Sequence, residues 1–327
     1  SVQDFDLTDA SLRVFPQLGH VESIRSVVYS PDVRYIASSS RDNSIKIWDS
    51  KTYRELHNLK KIKNDDFAPD HLAFSPNGRF LAGTGGGGAI VWDVATGLIQ
   101  HKLEQTSRFR DDLSGIAYSP NGRYIVAGIH DGFYNDLIFW YADSGKIDRI
   151  VKGERIYGPS NNAVLGYSPD GRFIASGSDH RTIKIWNITK GKEVRTLKGH
   201  SERIISIAFS PDGRRIVSSS SDGIIKIWSP SKDRSLKSWN NDSSYRTHVT
   251  YSPDGRFLVS PGSNNIKIFD ANTGVVLRHI ENKANSSKDE IGYLDYSPNG
   301  RFIVSGDDGG SIVVWDAISG KRLRSFG

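Results

Sequence analysis

The sequence predicts an all-β fold, a seven-bladed β-propeller with four antiparallel strands per blade. Three observations predict it. A Ser-Pro-(Asp/Asn)-Gly-Arg turn recurs seven times, each copy after an aromatic residue, with its serine at Ser30, Ser75, Ser119, Ser168, Ser210, Ser252 and Ser297. The intervals are 45, 44, 49, 42, 42 and 45 residues, the length of four short strands with their turns. Each interval holds apolar runs of strand length between Gly, Asn, Asp and Ser clusters. Within the turn, Pro fits position i+1, Asp or Asn tolerates the next bend and Gly takes the positive φ. Only the first copy departs, with Val33 in place of Gly.

Blade five shows the four elements in order. Arg203-Ile204-Ile205-Ser206-Ile207-Ala208-Phe209 is a mostly apolar strand beside the propeller centre, and the turn Ser210-Pro211-Asp212-Gly213 follows. Arg214-Arg215-Ile216-Val217-Ser218 is the second strand, and Ser221-Asp222-Gly223 turns the chain. Ile224-Ile225-Lys226-Ile227-Trp228 is a half-buried third strand, and Ser235-Leu236-Lys237-Ser238-Trp239 is a polar outer one.

At 327 residues, length alone suggests about two domains. The repeat overrides that prior, because seven similar units over 20–327 read as one closed array. Residues 1–19 form an N-terminal segment. With 37% hydrophobic and 24% charged residues the chain has the composition of a folded globular protein rather than a disordered one. No apolar run approaches the roughly 18 residues of a membrane span. The opening Ser1-Val2-Gln3-Asp4-Phe5-Asp6 is polar and acidic, unlike a secretory signal, and a cytoplasmic location is the expectation. There are no cysteines, which excludes disulfides and thiolate metal sites, and no methionines, not even at position 1, which reads as an excised domain of a longer chain or an engineered one. A net charge of +6 favours acidic partners weakly, since the basic residues are dispersed.

Gly19-His20 and Gly199-His200 precede first strands, and Trp48-Asp49, Trp92-Asp93 and Trp315-Asp316 end third strands. Blades three, four and five keep Trp140, Trp186 and Trp228 with other followers, and blade six carries Phe269-Asp270. On these residues the chain resembles the WD-repeat (WD40) β-propeller family over essentially its whole length. The resemblance implies a buried Asp–His–Ser–Trp hydrogen-bond chain in each complete blade. Two blades match it: His20, Ser38, Asp42 and Trp48, and His200, Ser218, Asp222 and Trp228. Such buried groups satisfy one another, because an unpaired one costs roughly 1–3 kcal/mol. Ser, His and Asp occur here as a repeated scaffold element and not as a hydrolase triad. Blade two carries Gly85-Gly86-Gly87-Gly88 at the carboxylate turn, blade four has His180, and blade seven has Gly309 beside Asp308. No helix pattern and no Lys-Ser/Thr pair follow the glycine run, so it is a hairpin turn and not a phosphate loop.

Both termini read as outer strands, Ser11-Leu12-Arg13-Val14-Phe15 and Lys321-Arg322-Leu323-Arg324-Ser325. One slot closes the ring, and the N-terminal segment is the expected occupant because it leads directly into blade one.

The variable connections point to the functional face. Those at 60–66, 105–110, 153–159 and 240–246 gather at one end of a propeller, as binding loops of repeat proteins do. Blade three adds three residues between Asp131 and Trp140, giving Gly132-Phe133-Tyr134-Asn135. Arg108, Phe109 and Arg110 enter this blade, and Arg155 and Tyr157 leave it. Aromatic and Arg side chains are favoured interface anchors, so blades three to four are the expected partner site. Local packing of Phe133 and Tyr134 over the blade edge is the competing reading. The resemblance implies further contact residues by position: Ser23, Arg25, Arg41, Asp112, Ser114, His130, Arg203, Ile205, Ser221, Tyr245, Thr247, Glu290 and Asp308. On the opposite face Arg34, Arg79, Arg123, Arg172, Arg214, Arg256 and Arg301 could meet phosphates, but each has an Asp or Asn of its own turn beside it.

The expectation is a non-catalytic protein–protein interaction scaffold without cofactor or metal, a module of a larger signalling or assembly protein. This step follows from resemblance rather than from a site. Its partners are proteins or peptides. Binding of nucleic acid or an anionic surface through basic residues is the alternative, and a propeller enzyme ranks third because the nine histidines show no metal spacing.

Overall fold

In the computed structural model the described residues are 19–60, 69–85, 88–104, 113–130, 135–153, 164–177, 180–241, 248–262, 265–282 and 290–326. They form twenty-eight strands in seven four-stranded antiparallel sheets, each built from four strands consecutive in sequence. In blade one these are Ile24–Tyr29, Tyr35–Ser40, Ser44–Asp49 and Glu55–Lys60, from the centre outward. The described residues contain no helix.

The recurring turn is held by its own side chains. Ser30 Oγ donates to Asp32 Oδ1 at 2.7 Å and accepts the Tyr35 N–H at 2.9 Å. The other six serines repeat both bonds, with Asn Oδ1 as acceptor in blades two, three and seven. Gly occupies φ of 68–72° in six copies, and Val33 is held at 63° in the first. The carboxylate after the tryptophan holds the outer hairpin: Asp49 Oδ1 accepts the Thr52 N–H at 2.6 Å and its hydroxyl at 2.7 Å. Asp93, Asp270 and Asp316 do the same for Thr96, Thr273 and Ser319.

The core is not one mass but seven clusters of buried side chains, each shared by two adjacent blades. The indoles of Trp48, Trp140, Trp186, Trp228 and Trp315 are buried; removing each from water contributes about 4–6 kcal/mol. A blade thus stabilises its neighbours, and the ring is the cooperative unit.

Closure differs from the expectation. The outer slot of blade seven is filled by the C-terminal strand Arg322–Phe326, which pairs with Ile312–Asp316. A short turn after Asp316 makes this a local hairpin with little loop-closure entropy to overcome. The segment Ser11–Phe15, expected in that slot, lies outside the described residues. The seam between blades seven and one is then sealed by side chains. Phe326 packs edge-on against Trp48 at 4.9 Å and stacks on Tyr53 at 5.4 Å. Deeper in the seam, Asp295 accepts the Tyr29 N–H at 3.0 Å.

Candidate interaction face

The strand directions define two ends. Ser-Pro turns and outer hairpins lie at one; the connections between blades and the second-to-third-strand turns lie at the other, the loop end.

Two complete hydrogen-bond chains stand at the loop end. In blade one His20 Nδ1–H donates to Asp42 at 2.9 Å, Ser38 Oγ–H donates to His20 Nε2 at 2.7 Å, and Trp48 Nε1–H donates to Ser38 Oγ at 2.9 Å. The tautomer follows from the network, since the carboxylate only accepts. Burial raises the Asp42 carboxyl, but hydrogen bonds from His20 and Ser44 outweigh it and hold the group well below its ordinary value. Blade five repeats the chain at 3.0, 2.8 and 2.8 Å through Asp222, His200, Ser218 and Trp228. The incomplete blades improvise. Trp186 and Trp315 reach only Ser176 and Ser305. In blade six Asn241 donates to Ser260 at 3.0 Å, and in blade three Trp140 turns to the Glu104 carbonyl at 2.8 Å. Blade three also buries Asp136, which accepts from Lys152 at 2.6 Å and from the Gly153 N–H at 2.8 Å. All of these atoms are engaged in structure.

The inner strands surround a central cavity of about 540 Å³. Counting four residues back from each Ser-Pro serine gives one residue per blade, Ser26, His71, Gly115, Val164, Ser206, His248 and Tyr293, and all seven line the cavity. This ring is lopsided: blades six, seven and two place large polar rings in it, and the others small or apolar groups. Burial, and to a lesser extent the charge of Arg25, pushes His71 down to about 4. Burial and the neighbouring His71 push His248 down to about 4. Both imidazoles are therefore neutral at pH 7. His248 Nδ1 is buried with no hydrogen-bond partner among the described residues. Two residues beyond Tyr293 on the inner strand of blade seven, about 7 Å deeper, Asp295 lines the same cavity, and burial raises it to about 7 against the hydrogen bond from Tyr29.

Arg25, Arg41, Arg203 and Ile205, each expected as a contact residue, are brought together around this cavity. Arg25 pairs with Asp70. Arg203 Nε donates to Ser221 Oγ at 3.0 Å, and neither Arg203 nor Arg41 has an ion pair with a described carboxylate. Ser23 Oγ donates to Asp308 at 2.5 Å across the blade one–seven seam. Ser114 is buried and Glu290 exposed. His130 ends the second strand of blade three opposite Asn135, its side chain outside the description. Arg108, Phe109, Arg110, Asp112, Phe133, Tyr134, Arg155, Tyr157, Tyr245 and Thr247 lie outside the described residues.

Sequence reasoning missed Asp70, His71, His248 and Asp295. A signal existed: Asp295 is the one ionisable residue two before a Ser-Pro serine, where the other blades carry Val28, Ala73, Ala117, Gly166, Ala208 and Thr250. Aligning the repeats by register would also have exposed the pair of histidines. The histidines do gather, although no group of three or more metal-ligating side chains occurs among the described residues.

At the Ser-Pro end the arginine ring is spent locally. Arg34 pairs with Asp32 at 2.6 Å and Arg79 with Asp93 at 3.3 Å. Arg34, Arg79, Arg123, Arg172, Arg256 and Arg301 each lie over the aromatic ring next in sequence, 4.9–5.9 Å from its centre.

The WD domain, G-beta repeat, matches residues 10–49, 156–187, 191–229, 233–270 and 279–316. These cover more than half of the chain, and the chain belongs to the WD40 family. Among curated proteins it is 26% identical over 204 residues to the periodic tryptophan protein 2 homolog of Dictyostelium discoideum, covering 60% of this chain and 20% of that one. It is 26% identical over 195 residues to cell division cycle 20.5, cofactor of APC complex, of Arabidopsis thaliana, covering 57% and 41%. It is 27% identical over 176 residues to the serine-threonine kinase receptor-associated protein of Gallus gallus, covering 53% and 45%. The matches span less than half the length of these relatives.

Proposed function

We propose that this propeller is a non-catalytic scaffold that holds protein or peptide partners at its loop end, as a module of a larger signalling or assembly protein. The observation that carries the reading is the lopsided, chemically mixed channel mouth. Arg25, Arg41, Arg203, Asp70 and His248 surround one cavity at the end where all irregular connections meet the strands. A repeat scaffold is free to vary at such positions because no fold-determining bond runs through them. The names of two relatives speak of association, one a cofactor of a complex and one receptor-associated. The partner surface includes Arg108, Phe109, Arg110, His130, Phe133, Tyr134, Arg155, Tyr157, Arg203 and Tyr245, the residues whose types favour interface anchoring. The nucleic-acid reading loses support from the arginine stacking at the Ser-Pro end.

The test is affinity capture with cross-linking on the full chain, with nuclease treatment in parallel. Expected is a protein set lost on Arg108→Glu/Phe133→Ala/Tyr134→Ala and kept on Arg34→Glu/Arg172→Glu. Capture abolished by nuclease, or lost only on the Ser-Pro-end variant, refutes the reading.

A further inference from the structure

The channel mouth is built asymmetrically in charge. At the level of Arg25 and Asp70 the two charges cancel, since they pair with each other. Arg41 and Arg203 are both exposed, face the same cavity from blades one and five, and carry no described carboxylate partner. Ser221 holds the Nε of Arg203 at 3.0 Å, which fixes the plane of the guanidinium and leaves its outer N–H groups for another acceptor. One step below the mouth the wall is formed by His71, His248, Tyr293 and small residues, and His248 Nδ1 is buried with no described partner. Two guanidinium forks with no carboxylate partner among the described residues form a place for a group that bears negative charge, and His248 Nδ1 below them, as the N–H tautomer, would donate to the same group. Low-dielectric walls strengthen that preference by focusing the field of the two arginines into the cavity. Of the two carboxyl groups among the described residues that line the cavity, Asp70 is committed to Arg25, and Asp295 lies deeper, where it accepts the Tyr29 N–H, so a cationic guest finds no open carboxylate of theirs at the mouth.

We propose that the channel mouth takes an anionic side chain, carboxylate or phosphate, of a partner's peptide, gripped by Arg41 and Arg203 with its tail directed toward His248. The inference rests on the scaffold reading above and names its ligand class. Arg binds both anions bidentately, which adds geometric selectivity to charge.

The experiment is fluorescence anisotropy on the full chain with three labelled Gly/Ser-rich peptides, carrying paired glutamates, a phosphoserine, or paired glutamines. Expected is binding of one or both anionic peptides, none of the glutamine peptide, and competition by inorganic phosphate. The tighter of the two anionic peptides identifies the source. Arg41→Glu/Arg203→Glu should weaken binding about a hundredfold, or about tenfold per guanidinium. The conservative Arg41→Lys/Arg203→Lys should lose less, and Arg34→Glu/Arg172→Glu at the other end nothing. A thermal melt of each variant checks that the fold persists. Equal binding of the glutamine peptide, no binding of any peptide, or undiminished binding by the charge-reversed variant overturns the assignment. A natural partner captured by wild type and equally by Arg41→Glu/Arg203→Glu also overturns it while leaving the scaffold reading standing.

Discussion

Removing one hydroxyl, Ser38→Ala, tests how a blade is held. Ser38 Oγ is buried and donates to His20 Nε2 at 2.7 Å while accepting the Trp48 indole N–H at 2.9 Å. Alanine leaves a buried donor and a buried acceptor unpaired at once, each costing about 1–3 kcal/mol, so the expected destabilisation is roughly 2–5 kcal/mol. Blade four supplies the internal control. Among the described residues Ser176 accepts only the Trp186 indole, at 2.8 Å, and no histidine bonds to it. Ser176→Ala should therefore cost about 1–3 kcal/mol, half as much. The assay is urea unfolding of both variants followed by tryptophan fluorescence, with native-state hydrogen exchange as a blade-resolved readout, since repeat arrays can open locally. Exchange should accelerate in blade one for Ser38→Ala and in blade four for Ser176→Ala. Equal costs within about 0.5 kcal/mol, or a Ser38→Ala cost below about 1 kcal/mol, would show that the His–Ser bond contributes nothing net.

Three further outcomes follow. Asp295 has its pKa raised from 3.8 to about 7, so its neutral form is favoured in the fold and stability is lost as pH rises from the unfolded value through 7. Asp295→Asn should therefore stabilise by roughly 2–4 kcal/mol at pH 8 and by almost nothing at pH 4; melts at both pH values check it, and an equal effect at both refutes it. Val33→Gly relieves a β-branched residue held at φ 63°, a gain of about 1–2 kcal/mol less about 0.4–1 kcal/mol of added chain freedom in the unfolded state. A rise in urea midpoint is expected, and a fall sinks the strain argument. Phe326→Ala removes the stack on Tyr53 and the edge contact with Trp48. It should cost about 2–3 kcal/mol for this half-buried ring, with protection lost first in Ile24–Tyr29 and Arg322–Phe326 and not in blade four; uniform loss would deny the seam a local role.

The fold was legible because its signals are local and repeated. Each Ser-Pro turn closes its own bonds within five residues, as Ser30 does with Asp32 and Tyr35, so the sequence pattern and the structure are nearly the same statement. The two complete hydrogen-bond chains were legible through the family resemblance, which names the four residue types, and blades one and five carry all four at the same spacing. Closure was not. Both ends of the chain carry strand-like residues, and the C-terminal one fills the slot as a local hairpin with Ile312–Asp316, its Phe326 packing on Tyr53 and Trp48 across the seam. The channel was hidden for a different reason. His71 and His248 are far apart in sequence and meet only because both stand four residues before a serine.

That last point bears on where function resides in such a molecule. Positions that repeat around the ring are occupied by what each blade needs: the turn serine, the positive φ filled by glycine in six blades and by Val33 in the first, the buried aromatic on the third strand. A residue that breaks the repeat at a fixed register is released from that duty, because six other blades show the fold can do without it. Asp295 stands where the other blades have small or apolar residues, and Arg41 and Arg203 stand at the mouth of the cavity it lines. Burial there carries a cost, visible in the displaced pKa of Asp295 and in His248 Nδ1, which has no hydrogen-bond partner among the described residues. Asp295 offsets part of that cost by accepting the Tyr29 N–H across the blade seven–one seam, whereas His248 Nδ1 has no such structural bond among the described residues, and a polar guest in the channel is what the proposed anion site would supply to it.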